Sequence, residues 1–158
     1  MKTIVVGADH AGFKLKEQIK DFLKKRGYRV EDVGAYEVIP TDDYPEYAEK
    51  VSLKVLAKRG GRGILACGTG IGASIAANKI PGIRAALVGN VKDARLSRKH
   101  NDANLLVLGG WENNKDQIPK IVQAWLEGKF QGGRHRRRIN QIIRIEKKYQ
   151  TQHLLGKR

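Results

Sequence analysis

The sequence is short of sulfur, of aromatic rings and of acid. Its 158 residues hold one cysteine, 6% Phe, Tyr and Trp, and 16 acidic residues against 31 Lys and Arg. A single cysteine excludes an internal disulfide framework and a thiolate zinc cluster, and it suggests a reducing compartment. The scarcity of rings leaves the core to Ile, Val, Leu and Ala. Long apolar runs are also missing. MKTIVVGADHAG offers only about five apolar residues before Asp9, short of the roughly seven to fifteen of a signal peptide. Nothing approaches the roughly twenty apolar residues of a membrane span. The expectation is a cytoplasmic protein without a membrane partner.

The deficit of acid gives a formal net charge of +15. Nine basic residues follow Gly133 against Glu146 alone, a local +8, and the other +7 is spread over the body. Such a tail suits a polyanion, an anionic metabolite or solubility. The chain has no nucleic-acid recognition motif and no interleaving of aromatic and basic residues, so nucleic acid is not the expected partner.

What is present is an alternation. Thr3 to Ala8 reads as a strand, and Phe13, Leu15, Ile19, Phe22 and Leu23, spaced among lysines, mark an amphipathic helix stopping at Gly27. A second strand runs from Tyr28 to Val33. Thr41 to Asp43 with Pro45 signals the start of a helix that ends at Gly60 and Gly61. Further strands are expected at Ile64 to Ala66, Arg84 to Val88 and Leu105 to Leu108, with helices between and after them. Near-continuous apolar strands alternating with helices argue for a parallel sheet covered on both faces. One domain over residues 1–150 is expected, closing with a basic helix from about Arg134 whose apolar stripe either packs on its own domain or, the favoured reading, reaches a partner subunit. Residues 151–158 form a basic tail expected to fray.

The stretch ILACGTGIGASIAAN, residues 64–78, carries the most chemistry. An apolar strand runs into Gly68, Gly70 and Gly72 before a helix begins, and Cys67 sits at the junction. Alternate glycines let a ligand approach the backbone, and a thiol beside a helix N-terminus is placed for a lowered pKa. The spacing GxGxG is not the GxGxxG of dinucleotide folds, nor a Walker loop. Thr69 either faces a ligand or stabilises the turn. Asp9 and His10 end the first strand as acid or base and anion contact, or as turn residues. His100, Asn101 and Asp102 close a helix. Arg134 and Arg138, four apart with His135 beside Arg134, fit a phosphate clamp or a solvated face. Ligands collect beyond the carboxyl ends of strands in open parallel sheets, so Asp9, His10, Cys67 and the Gly109 region are expected on one edge.

GADHAG, CGTGIG followed by SIAANK, GIRAA, LSRKHND and GGRH together closely resemble the type B ribose-5-phosphate isomerase family, which includes galactose-6-phosphate isomerase subunits. The likeness runs in order from about Met1 to Tyr149. It implies a three-layer α/β sandwich with a five-stranded parallel, Rossmann-like sheet. It also implies a homodimer that can pair into a homotetramer, a site shared between subunits, and no metal or cofactor. The implied reaction is aldose–ketose isomerisation of ribose 5-phosphate and ribulose 5-phosphate in the pentose phosphate pathway. By resemblance, Cys67 is the base. Thr69 and the backbone N–H groups of Gly68, Gly70, Ile71 and Gly72 stabilise the enediolate. His100, helped by Asp9, opens the furanose. His10, Arg134 and Arg138 bind phosphate, and Asn101 and Tyr44 hold hydroxyls. Relatives often carry an arginine after the fifth strand's Gly-x pair. This chain has Trp111 there, followed by Glu112 and Asn113. An isomerase of allose 6-phosphate or galactose 6-phosphate is the nearest alternative, and a polyanion-binding module is the alternative of a different class.

Overall fold

Where a ligand can sit is decided by the order in which the strands lie side by side. The computed structural model describes residues 2–111 and 116–155, with side chains described to residue 150. In chain order the elements are β1 (Thr3–Ala8), α1 (Phe13–Lys25), β2 (Arg29–Asp32), α2 (Tyr44–Leu56), β3 (Arg62–Cys67), α3 (Ile71–Ala77), β4 (Ala85–Leu87), α4 (Val91–Asn101), β5 (Leu105–Gly109), α5 (Ile118–Glu127) and α6 (Arg134–Leu155). The sheet is parallel in every pairing, with strand order β2-β1-β3-β5-β4. The chain moves outward from β1 to β2 and then crosses back to β3. The β1/β3 boundary is therefore a topological switch point, where a crevice opens beyond the strand ends.

Period-two alternation sorts the strands into two layers of core. Ile4, Val6, Ala8, Ile64 and Ala66 pack towards α1, α4 and α5, with fully buried Trp125 among them. Val5, Leu65 and Cys67 pack towards α2 and α3. Each fully buried aliphatic side chain contributes about 1.5–3 kcal/mol, so the sheet is the rigid part of the molecule. A Cβ on Gly7 or Gly63 would run into Val51, and the glycines at these positions are what let α2 press onto the sheet.

Lys16 stands on the same face of α1 as Leu15, Ile19 and Leu23, so a lysine is carried into the interior. It is among the most buried side chains, with Nζ donating to Asp32 Oδ1 at 2.9 Å, to Asp32 Oδ2 at 3.0 Å and to the Ala35 carbonyl. The loop after β2 folds over the start of α1, and a charge so covered must be paired. Burial pushes the Asp32 carboxyl up, but hydrogen bonds from Lys20 and Lys16 outweigh it and hold it below its ordinary range. Asp32 also accepts the Gly34 N–H at 3.0 Å, while Gly34 and Ala35 bond the backbone of Ala8. This network ties the loop to the tip of β1, next to Asp9.

Other departures are smaller. α2 ends at Leu56, before the Gly60–Gly61 pair, and Gly61 instead closes a tight turn onto Lys58. Asp43 stands at the N-cap of α2 without a side-chain cap bond. Helix α6 continues to Leu155, five residues into the stretch expected to fray, and packs against α4. Residues 156–158, like Glu112 and Asn113, lie outside the described residues.

Candidate active site

At the β1/β3 crevice a buried carboxylate holds a buried thiol. Asp9 accepts the Gly12 N–H on Oδ1 at 2.8 Å, and its Oδ2 lies 3.0 Å from Cys67 Sγ, the thiol donating. Asp9 is 4% exposed and Cys67 is 7% exposed. Gly12 lies directly on the backbone of Ala66 and Cys67, where any Cβ would collide. The loop after β1 and the tip of β3 therefore touch backbone to backbone.

This environment reverses the expected direction of the Cys67 pKa. Burial, and next the hydrogen bond to Asp9 and its charge, push the thiol up to about 11, while the N–H groups of Gly70 and Gly68 pull weakly the other way. Glycine spacing shows the amides but not the carboxylate, which arrives from 58 residues away. At neutral pH the thiolate is then roughly one part in ten thousand. The resting group is a thiol, and the carboxylate beside it is placed to take its proton.

His10 projects from the same loop and carries a partner that sequence reasoning missed. Its Nδ1 lies 2.6 Å from Asp42 Oδ1, and its backbone N–H donates to the same oxygen at 3.0 Å. That hydrogen bond raises the His10 pKa above the ordinary 6.5, so the imidazole keeps its positive charge to higher pH. Asp42 lies in the Thr41–Asp43 cluster that reads as a helix start. Two adjacent aspartates there were the available signal that one of them serves elsewhere.

The glycine turn joins these groups to α3. Gly70 takes the left-handed conformation with φ 79°, and a Cβ there would strike Leu87. Thr69 is exposed, and its Oγ1 accepts the Ile71 N–H at 3.2 Å, which leaves the hydroxyl proton free to donate. The turn-stabilising role thus belongs to its oxygen. The amides of Gly68 and Gly70 are aimed at the Cys67 sulfur, and that of Ile71 at Thr69. The Tyr44 ring lies over Gly72 and the Trp111 indole over Gly68.

The remaining candidates are at the other edge of the sheet. In a parallel sheet a crossover helix returns from the carboxyl to the amino edge, so His100 and Asn101, at the end of α4, precede the start of β5. Cys67 pairs with Gly109 at the far end of β5. Four steps separate Leu105 from Gly109, roughly 13 Å at about 3.3 Å per residue. Within one chain Asp9 and His100 therefore lie at opposite edges of the sheet. His100 instead stacks on His135, with ring centroids 4.1 Å apart and planes 7° from parallel. Burial, then the charges of His100, Arg134 and Arg138, lower the His135 pKa. Arg134 and Arg138 are exposed beside this pair. Asn101 borders a cavity of about 630 Å³ that Ile142, Ile145 and Tyr149 of α6 help to line.

Comparison with known proteins places this arrangement. The family model described as Ribose/Galactose Isomerase matches residues 4–142. Ribose-5-phosphate isomerase B of Escherichia coli K12 is 45% identical over 148 residues, covering 94% of this chain and 99% of the relative. The structure of Clostridium thermocellum ribose-5-phosphate isomerase B superposes with a TM-score of 0.90 at 52% identity, over 93% of this chain and 99% of that one. The Mycoplasma genitalium ribose-5-phosphate isomerase B, solved with bound ribulose-5-phosphate, gives 0.87 at 43% identity, over 92% and 96% of the two chains. A buried thiol–carboxylate pair at the switch point of a parallel sheet, and likeness along nearly the whole length, lead to one assignment: the chain belongs to the ribose/galactose isomerase family.

Proposed function

We propose that the chain interconverts ribose 5-phosphate and ribulose 5-phosphate through an enediolate, with Cys67 as the base. The observation that carries this reading is the 3.0 Å contact between Cys67 Sγ and Asp9 Oδ2, beside His10, whose pKa Asp42 raises. The thiol proton passes to Asp9, and the thiolate removes the C2 proton of the open-chain aldose as charge moves onto O1. Cys67 returns that proton to C1, and the O2 proton transfers to O1, so that C2 becomes the ketone. Thr69, whose hydroxyl proton remains free, donates to the developing oxyanion together with backbone N–H groups of the Gly68 to Gly72 turn. Tyr44 holds a sugar hydroxyl. His10 anchors phosphate, and Asp42 favours its protonated form for that purpose.

The site is completed by a second copy of the chain. His100 opens the furanose, Asn101 holds a hydroxyl, and Arg134 and Arg138 clamp the phosphate, all from the partner of the subunit that supplies Cys67. Two observations support a homodimer. The two groups of residues occupy opposite edges of one sheet and cannot meet within a chain. Exposed Ile71 and Ile75 on α3, and Ile142, Ile145 and Tyr149 on α6, leave apolar surface beside both groups. A base that must remain a free thiol also suits a reducing cytoplasm.

The test is isomerisation of ribose 5-phosphate, allose 6-phosphate and galactose 6-phosphate by the wild type and by Cys67→Ala. Ribose 5-phosphate is expected to turn over fastest, and the variant to lose about 10²–10⁴-fold in kcat. Turnover surviving within a few-fold in Cys67→Ala would remove the thiol from the chemistry. A preference for either hexose phosphate would move the substrate assignment and leave the base in place.

A further inference from the structure

The two tryptophans have opposite environments. Trp125 is fully buried in the sheet's core, whereas Trp111, just past the end of β5, is 70% exposed. A single exposed ring is ordinary on a protein surface, so what singles out Trp111 is where it is held. Backbone bonds set that position: the Trp111 N–H donates to the Gly68 carbonyl at 3.1 Å, and the Gly110 N–H to the Cys67 carbonyl at 2.7 Å. The indole then lies against the Gly68 backbone, where a Cβ would come within 2.9 Å of three ring carbons. At the other end of the turn, Tyr44 fills the space that a Cβ on Gly72 would take. Two rings therefore flank the turn that carries Thr69 and follows Cys67.

We propose that Trp111 is the specificity-determining wall of the site, packing its indole face on the C–H face of the bound sugar phosphate and limiting its length. The inference rests on the isomerase reading above. An indole offers apolar area and one N–H donor, with no charge, so this wall contributes shape, and the phosphate charge is met by His10 and the guanidinium groups. With Tyr44 at the other end, the two rings bound the space over the turn, and a six-carbon chain would meet the wall before a five-carbon one. An isomerase with arginine here would have a longer, movable cation in place of a rigid plane.

The experiment measures kcat/KM for ribose 5-phosphate and allose 6-phosphate with the wild type, Trp111→Phe and Trp111→Ala. Trp111→Ala is expected to raise KM for ribose 5-phosphate more than it lowers kcat, and to reduce the pentose-to-hexose preference roughly 10-fold, the scale of discrimination by one extra carbon. Trp111→Phe keeps a wall and should retain most of the preference. Ribose 5-phosphate added to Cys67→Ala protein should also alter tryptophan emission, and this response should vanish in Cys67→Ala/Trp111→Phe, since Trp125 is out of reach. An active wild type whose preference is unchanged within about twofold in Trp111→Ala, or a fluorescence response that survives Trp111→Phe, would overturn the wall and leave the isomerase standing. A wild type inert towards both sugars would overturn the isomerase reading and the wall together.

Discussion

At the carboxyl edge of the sheet, Asp9, Gly12 and Cys67 are buried and held by backbone contact, while at the amino edge His100 and His135 stack between exposed arginines. The contrast follows from what each group must do. A proton carrier works by position and by a dry setting that fixes its protonation state, and the rigid β1/β3 tips provide both. A clamp for a dianion needs long cationic side chains that are hydrated until the ligand arrives, and the first turns of α6 provide those. On the proposed reading, one chain carries the two halves of a site at opposite ends of one sheet.

The division itself can be tested most severely by mixing inactive proteins. Cys67→Ala and the double variant His100→Ala/Arg138→Ala should each be nearly inert. Equal amounts allowed to exchange subunits should recover about a quarter of wild-type activity, because half of the dimers are mixed and each mixed dimer has one intact site. Mixed dimers shown by native mass spectrometry to be inactive would break the division. Next in size is Asp9→Asn, expected to lower turnover about 10²-fold. The same change should speed alkylation of Cys67 by iodoacetamide, because the carboxylate's hydrogen bond and charge raise the thiol pKa. Slower alkylation would contradict the role given to Asp9.

The smallest effect concerns the charge on His10. Its pKa is raised, so the imidazolium contribution to phosphate binding is fully present below the ordinary 6.5 and is lost as pH rises through the higher folded value. KM for the sugar phosphate should climb with pH across that range. In Asp42→Asn the climb should begin at lower pH, by a few-fold in KM at most near neutrality. KM profiles that superimpose for the two proteins would detach Asp42 from the anchor.

The alternation of strands and helices was legible because each apolar run is bounded by glycine and its neighbours have helical period. The glycine turn after Cys67 was legible for the same local reason. What escaped depended on contacts between distant segments. Lys16 reads as a lysine out of place on an apolar face until the loop after β2 supplies Asp32 and the Ala35 carbonyl as its partners. Asp42 reads as part of a helix start until His10 reaches it across 32 residues. The direction of the Cys67 pKa was missed because the amides that lower it are adjacent in sequence and the carboxylate that raises it is not. The stack of His100 on His135 was hidden in the same way, since neither residue's local pattern points to the other. Periodicity reports the element a residue belongs to, and these four features depend on which elements meet.

The contact of Gly12 with the backbone of Ala66 and Cys67 bears on how such a protein can change over generations. No side chain lies between the two loops, so the spacing of carboxylate and thiol has no adjustable part, and almost any replacement at position 12 displaces the base. Selection for new substrates therefore has little room in the acid–base pair. Trp111 and Tyr44 border the same turn through their side chains, and there variation can proceed one residue at a time without disturbing the reaction that it redirects.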